Sequence, residues 1–223
     1  MHAEALYTHD DGSRIKSVNE PGGGVASRFF LGRTISGNLW RFRTDLPGDL
    51  VADLERLCRG EPETDALSKT PEDLEEYIRL LESQTPIERV QAGPTYWFST
   101  DVVPVVQPVE INETNANLLR GGLEDWLVDV PYRHPFMAMV EDGHAVSVCT
   151  SVRISNAAHE AGVETLPAYR RRGYAVNVIA GWAHTVRKMR AIPLYSTSWD
   201  NTASQNVAAK LGLSMFGVDF HIT

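Results

Sequence analysis

Glu164-Thr165-Leu166-Pro167-Ala168-Tyr169-Arg170-Arg171-Arg172-Gly173-Tyr174-Ala175 is the stretch that decides how the chain is read. From Glu160 apolar and polar residues alternate as in a strand, and the run stops at Pro167. Three arginines and a glycine follow, and then Ala175, Val178, Ile179, Trp182, Val186 and Met189 recur at helical spacing. A strand that turns into a helix through such a loop aims several backbone N–H groups at one point. The free donors and the helix dipole both favour an anion there. Gly173 lets the backbone approach that anion closely, because no side chain intervenes.

The local charge agrees. The chain carries a formal net charge of −8, yet no Asp or Glu occurs from Thr165 to Trp199. The same window holds Arg170, Arg171, Arg172, Arg187, Lys188 and Arg190. A basic segment in an acidic protein points to an anionic ligand, and a solvated helix start with chance arginines is the bland alternative. After the helix, Ile192 to Trp199 reads as a strand. Asp200-Asn201 then supplies a helix cap, and Gly212 the residue that ends the helix.

Arg170-x-x-Gly173-x-Ala175 resembles the Q/R-x-x-G-x-G/A acetyl-CoA signature of the GNAT superfamily of N-acetyltransferases. Asn201-x-x-Ser204 followed by Ala208-x-Lys210-Leu211-Gly212-Leu213 resembles that superfamily's next motif. The ordered pair, with one helix and one strand between, is specific where either motif alone is weak. The resemblance covers residues 105–223 and leaves the first hundred or so unassigned. It implies a mixed α/β fold: a twisted, mostly antiparallel sheet flanked by helices, with one parallel pair splayed to admit acetyl-CoA. By the same resemblance the donor's pyrophosphate sits on the amides of Arg170, Arg171, Arg172, Gly173, Tyr174 and Ala175. Its pantetheine arm lies along Val163, Glu164 and Thr165 as an added strand, with Asn201 contacting the arm. The acceptor is an amine of a small molecule or peptide.

The remaining chain sets bounds. A length of 223 residues buries a full core in one large domain or two small ones, and residues 1–104 and 105–223 are the expected division. No apolar run is long enough to span a membrane, and Met1-His2-Ala3-Glu4 does not read as a signal peptide. Cys58 and Cys149 lie far apart with no C-x-x-C spacing, and the seven histidines are scattered. A reducing, cytoplasmic setting without a metal is the expectation. The acidic balance argues against nucleic acid as a partner and favours a cationic acceptor.

The N-terminal region reads as β-rich with two helices. Ala5–His9 and Arg14–Val18 flank a hairpin turn, as do Arg28–Thr34 and Asn38–Arg43. A helix follows Asp45, with Leu50, Leu54 and Leu57 on one face. A second is expected to start at Pro71 as its first residue. Glu61, Glu63 and Asp65 between them read as a solvated face in preference to an acceptor-binding patch. Val102–Pro108 is an edge strand or linker, and Asn112–Val128 a helix bent at Gly121-Gly122. Phe136–Glu141 and His144–Cys149 form a third hairpin. The region 1–104 shapes acceptor access or a homodimer interface.

Acyl transfer to an amine requires removal of an ammonium proton and stabilisation of the leaving thiolate. Glu160 and Glu164 share a face of a regular strand. Glu160 is the candidate base, with an ordinary strand glutamate paired to Arg153 as the alternative. His159 faces the other way and reads as packed or exposed. The family's usual acid, a tyrosine, would fall at Ala208. Ser204 replaces it as the thiolate's hydrogen-bond donor, or else only satisfies the helix start. Tyr195, upstream on the strand, is the second hydroxyl that spacing leaves open, unless it is turned away. Trp182 belongs to the core stripe; Trp199 lines an acceptor pocket or is simply buried. The reading is an acetyl-CoA-dependent N-acetyltransferase. The alternatives are a non-catalytic acyl-CoA-binding module and, more remotely, a nucleotide-binding protein.

Overall fold

A computed structural model describes residues 1–63 and 66–223. In chain order its elements are α1 (His2–Leu6), β1 (Tyr7–His9), β2 (Ile15–Val18), β3 (Phe29–Thr34), β4 (Gly37–Phe42), α2 (Gly48–Gly60), α3 (Leu74–Glu82), β5 (Val90–Trp97) and β6 (Val109–Glu110). There follow β7 (Phe136–Glu141), β8 (His144–Ile154), β9 (Ala158–Thr165), α4 (Tyr174–Lys188), β10 (Ile192–Ser196), α5 (Thr202–Lys210) and β11 (Ser214–Ile222). The class is mixed α/β, with mostly antiparallel pairing and flanking helices, as the sequence predicts.

Two compact units share the chain. One holds Met1–Ala5, Trp97–Tyr195 and Thr202–Ser214; the other holds Leu6–Tyr96, Ser196–Asn201 and Met215–Thr223. Within the first, the strand order is β6-β7-β8-β9-β10. All its pairs are antiparallel except β9 with β10, which is parallel. Asp142 and Gly143, both at positive φ, close the β7–β8 turn, where left-handed backbone suits the strand twist. Helix α4 packs on β7, β8 and β9 and buries Val178, Ile179, Trp182, Ala183 and Val186. A further core gathers Ile111, Leu119, Leu123, Val130, Phe136, Ala138, Ala145 and Val148.

In the second unit β3 pairs β4 and β11, both antiparallel, with Val218 opposite Arg33 and Ile222 opposite Phe29. Phe29, Leu31, Phe42, Leu50, Leu54, Tyr77, Leu81 and Phe220 form its core. Strands β1 and β2 make the expected first hairpin. The Cys58 thiol is pushed up to about 12 by burial, and both cysteines are free and buried.

Several local expectations are corrected. Ala5 and Leu6 close a short helix and do not open the first strand. Helix α3 begins at Leu74, three residues after Pro71, and the Glu72 N–H is donated to the buried Glu61 carboxylate at 3.1 Å. Glu61 is not part of a solvated face: it is 5% exposed and paired with Arg33 at 3.0 Å. Asp65 lies outside the described residues. The helix expected over Asn112–Val128 is two 3₁₀ turns, Ala116–Leu119 and Glu124–Asp129. Between them Gly121 and Gly122 take φ of 110° and 130°, and both donate N–H to the Glu124 carboxylate. Met189 is 52% exposed, since α4 ends at Lys188 before the apolar stripe would return.

Candidate active site

The parallel pairing of β10 with β9 is short. It runs from Ile192 opposite Ala158 to Leu194 opposite Glu160. β9 continues to Thr165, held along its other edge by β8. From Ala161 to Thr165 β9 therefore has no register partner on β10 among the described residues. The two strands fork at Glu160 and Leu194. An edge of this kind presents a row of backbone donors and acceptors to an extended ligand.

Beyond the fork, the chain turns into α4 through Pro167–Tyr169 and the arginine loop. Arg171 and Gly173 take φ of 63° and 86°, either side of Arg172. Alternation of left- and right-handed residues makes a concave nest of N–H groups that favours anions. Gly173 caps α4, and a Cβ built on it would meet nothing within 4 Å, so the loop is open on that side. The arginines are not equivalent. Arg170 folds back, its Nε donating to the Thr165 carbonyl at 3.2 Å. The Arg172 guanidinium sits 5.0 Å from the Tyr169 ring centroid and 3.8 Å from the Glu141 carboxylate. Tyr174 and Ala175 open the helix, half-buried. Asn177, one turn on, accepts the Val105 and Val106 N–H groups at 2.9 and 3.0 Å. That fixes Val102–Pro108 as a linker along α4, not an edge strand.

The two glutamates lie on one face of β9, but the structure does not bring them together. Gly162 stands between them, and the Val152 side chain occupies the space its Cβ would take, 2.1 Å away. Val152 lies at the irregularity in β8 where the register to β9 shifts. Glu164 is exposed and accepts the Trp126 Nε1–H at 2.6 Å. Glu160 is 4% exposed, with Oε2 3.0 Å from His2 Nε2. Arg153 is its cross-strand neighbour on β8. Sequence reasoning missed His2, since nothing local marks a residue 158 positions away as its partner.

On the opposite face, Val163 is half-buried and the Thr165 hydroxyl bonds Ser147 at 2.7 Å. His159 is packed: its Nδ1 is 2.9 Å from Ser151 Oγ, which accepts the Trp182 Nε1–H at 3.0 Å. Burial holds the His159 pKa below its ordinary value, so the ring is neutral. The Cys149 thiol is pushed well above its ordinary value by burial and by the charge of Glu160, which excludes it as a nucleophile.

Tyr195 is the other hydroxyl that the sequence leaves open. It follows Leu194 at the fork, is 4% exposed, and its hydroxyl lies 2.5 Å from Ser204 Oγ on the first turn of α5. Ala208, one turn further, is fully buried. Asn201 immediately precedes α5, exposed, and with Trp199 belongs to the second unit. Among the described residues no group of His, Cys, Asp or Glu side chains could hold a metal ion.

A mixed sheet with a forked parallel pair leads through a glycine-capped loop into a helix. Residues 136–216 match the family model of GNAT acetyltransferases. No curated protein matches the sequence. A GCN5-related N-acetyltransferase from Sphaerobacter thermophilus is similar over 93% of this chain and 79% of that one, at 13% identity and TM-score 0.51. A GNAT-family acetyltransferase from Colwellia psychrerythraea is similar over 83% and 76%, at 13% identity and TM-score 0.50. Identities this low show the fold. A further GNAT-family structure, from Novosphingobium aromaticivorans, matches over 61% of this chain, at 16% identity and TM-score 0.49. The chain spans 65% of that relative's length.

Proposed function

We propose that the protein is an acetyl-CoA-dependent N-acetyltransferase acting on a primary amine of a small molecule or peptide. The observation that carries this is the fork of β9 and β10 at Glu160 and Leu194, set one loop before a glycine-capped helix in a GNAT domain. The residues fit the donor. The nest around Arg171–Gly173 suits a pyrophosphate, and Val163, Glu164 and Thr165 offer an open strand edge to the amide-bearing arm.

Acetyl-CoA supplies an activated acyl thioester. The chain's own groups do the rest. Near the fork, Glu160 lies on the face of β9 opposite His159 and serves removal of the acceptor's proton. Tyr195 points to the other face, where its hydroxyl pairs with the Ser204 hydroxyl, and the pair serves the departing thiolate with Ser204 as its donor. A phenol donating to a serine hydroxyl strengthens that hydroxyl as a donor, which a lone serine lacks. In this reading the base serves the amine nitrogen and the acid the thiolate sulfur.

Thiol release, followed with acetyl-CoA and a panel of amines, tests the reading. Steady, amine-dependent release with transfer of the acetyl group to nitrogen is the expected result. Tight acetyl-CoA binding without release would leave the non-catalytic binding module in its place.

A further inference from the structure

We infer that the Arg171 side chain reads a second phosphate on the acyl donor, the monoester on the ribose of acetyl-CoA, and so makes the protein prefer CoA over carriers that lack that group. The inference rests on the acyl-transfer reading, with the donor's pyrophosphate at the loop before α4, and names a specificity residue of that same site.

The three arginines of the loop stand in different states. Arg170 is folded back onto the Thr165 carbonyl. Arg172 lies over the Tyr169 ring, with the Glu141 carboxylate 3.8 Å from its guanidinium. Arg171 is exposed, and its guanidinium makes no hydrogen bond or ion pair among the described residues. Neither the loop nor α4 carries an Asp or Glu that could neutralise it.

The backbone at Arg171 is a second, separate observation. Its φ of 63° lies in the left-handed region, where a Cβ is crowded and where glycine and asparagine sit most easily. The nest needs only backbone N–H groups at that position. Gly173 supplies the same handedness, at φ 86°, with no side chain at all. A loop that merely cradled a pyrophosphate would be served as well by glycine at 171. A strained residue with a free charged side chain is the kind that marks a functional position.

Chemistry identifies the group it takes. Besides its pyrophosphate, CoA carries a phosphate monoester on its ribose. Such a monoester bears about −1.5 to −2 charge at pH 7 and three strong acceptor oxygens. A guanidinium matches those oxygens with two parallel N–H donors. In the proposed function the pyrophosphate is met by the amides of the nest, so the unpaired guanidinium is left for the other phosphate.

Calorimetry on the full chain, with acetyl-CoA and with 3′-dephospho-acetyl-CoA, tests this. The parent should bind acetyl-CoA roughly tenfold more tightly, the scale of one hydrogen bond to a charged group. Added salt should shrink that preference. Arg171→Gly and Arg171→Asn, which both tolerate the left-handed φ, should bind the two donors alike, near the parent's affinity for the dephospho form. Their melting temperatures should stay near or above the parent's, a split between affinity and stability that a structural arginine would not give. A parent that binds both donors equally, or a variant at 171 that keeps the preference, overturns the inference and leaves the acyl-transfer reading standing. So does an equal loss of affinity for both donors, which would put Arg171 on the pyrophosphate, and so does a marked fall in melting temperature in both variants. A parent that binds neither donor overturns the acyl-transfer reading itself, and the inference with it.

Discussion

The arginine loop and the β9–β10 fork are built in opposite ways. The loop is exposed, and neighbouring residues make it: Pro167 ends a strand, Arg171 and Gly173 reverse the backbone, and α4 starts at once. The fork is buried, and its chemistry comes from pairs distant in sequence. His2 meets Glu160 across 158 positions, and Trp182 meets Ser151 across 31. In the proposed function the loop acts through backbone N–H groups, so its side chains other than Arg171 can vary. The fork, in the same proposal, acts through side chains whose placement depends on packing, so a methyl-scale change there should be felt in rate.

The largest effect that could break this contrast lies at the fork's hydroxyl pair. Ser204→Ala should reduce turnover on the order of a hundredfold or more, the typical cost of one donor to a developing charge. Tyr195→Phe, which removes only the inner hydroxyl, should give a smaller loss in the same direction. Acetyl-CoA affinity should stay near the parent's in both. Loss of rate only in proportion to lost affinity would make the pair structural. Next comes the loop. Gly173→Asp puts a charge and a side chain where the phosphate is proposed to sit, in a left-handed conformation that costs an L-residue about 1–2 kcal/mol. Most of the acetyl-CoA affinity should disappear, read by calorimetry, while Gly173→Ala should lose less. Equal losses would mean that backbone strain, not the anion, governs the site.

The smallest effect concerns His159. Its folded pKa lies below the ordinary value because burial disfavours the charged ring. The unfolded chain therefore binds the proton first as pH falls. The stability contributed by the neutral ring is full above about pH 6.5 and declines below it. Melting temperatures between pH 7.5 and 5.5 should fall less steeply in His159→Gln than in the parent. Parallel slopes would show that other groups set the acid sensitivity.

What was legible in the sequence follows the same division. The hairpins at Asp142-Gly143 and Ser36-Gly37, α4 with its glycine cap, and the Gly212 terminus are local chemistry, and the structure contains them all. Asn112–Val128 misled because its apolar spacing suits a helix while two glycines at positive φ interrupt it. Pro71 instead opens a turn, closed by the Leu74 N–H to its carbonyl at 3.3 Å, that leads into the helix at Leu74. Tyr195 was legible as a strand residue, but its contact with Ser204 depends on where α5 packs. Glu160 could be picked from its position; its partner could not, because no periodicity reaches from the first turn of the chain to the fourth strand of a sheet.

Gly162 and Val152 have a consequence for that position. A branched side chain seated where a Cβ would otherwise stand acts as a key in a lock cut one methyl deep. Sliding β9 along β8 by two residues would keep every side chain on its face, so pleating alone does not forbid it. It would, however, drive the key into Glu160 or Glu164, which have no such notch. The strand thus has one place to rest, and the fork inherits its address from a missing carbon.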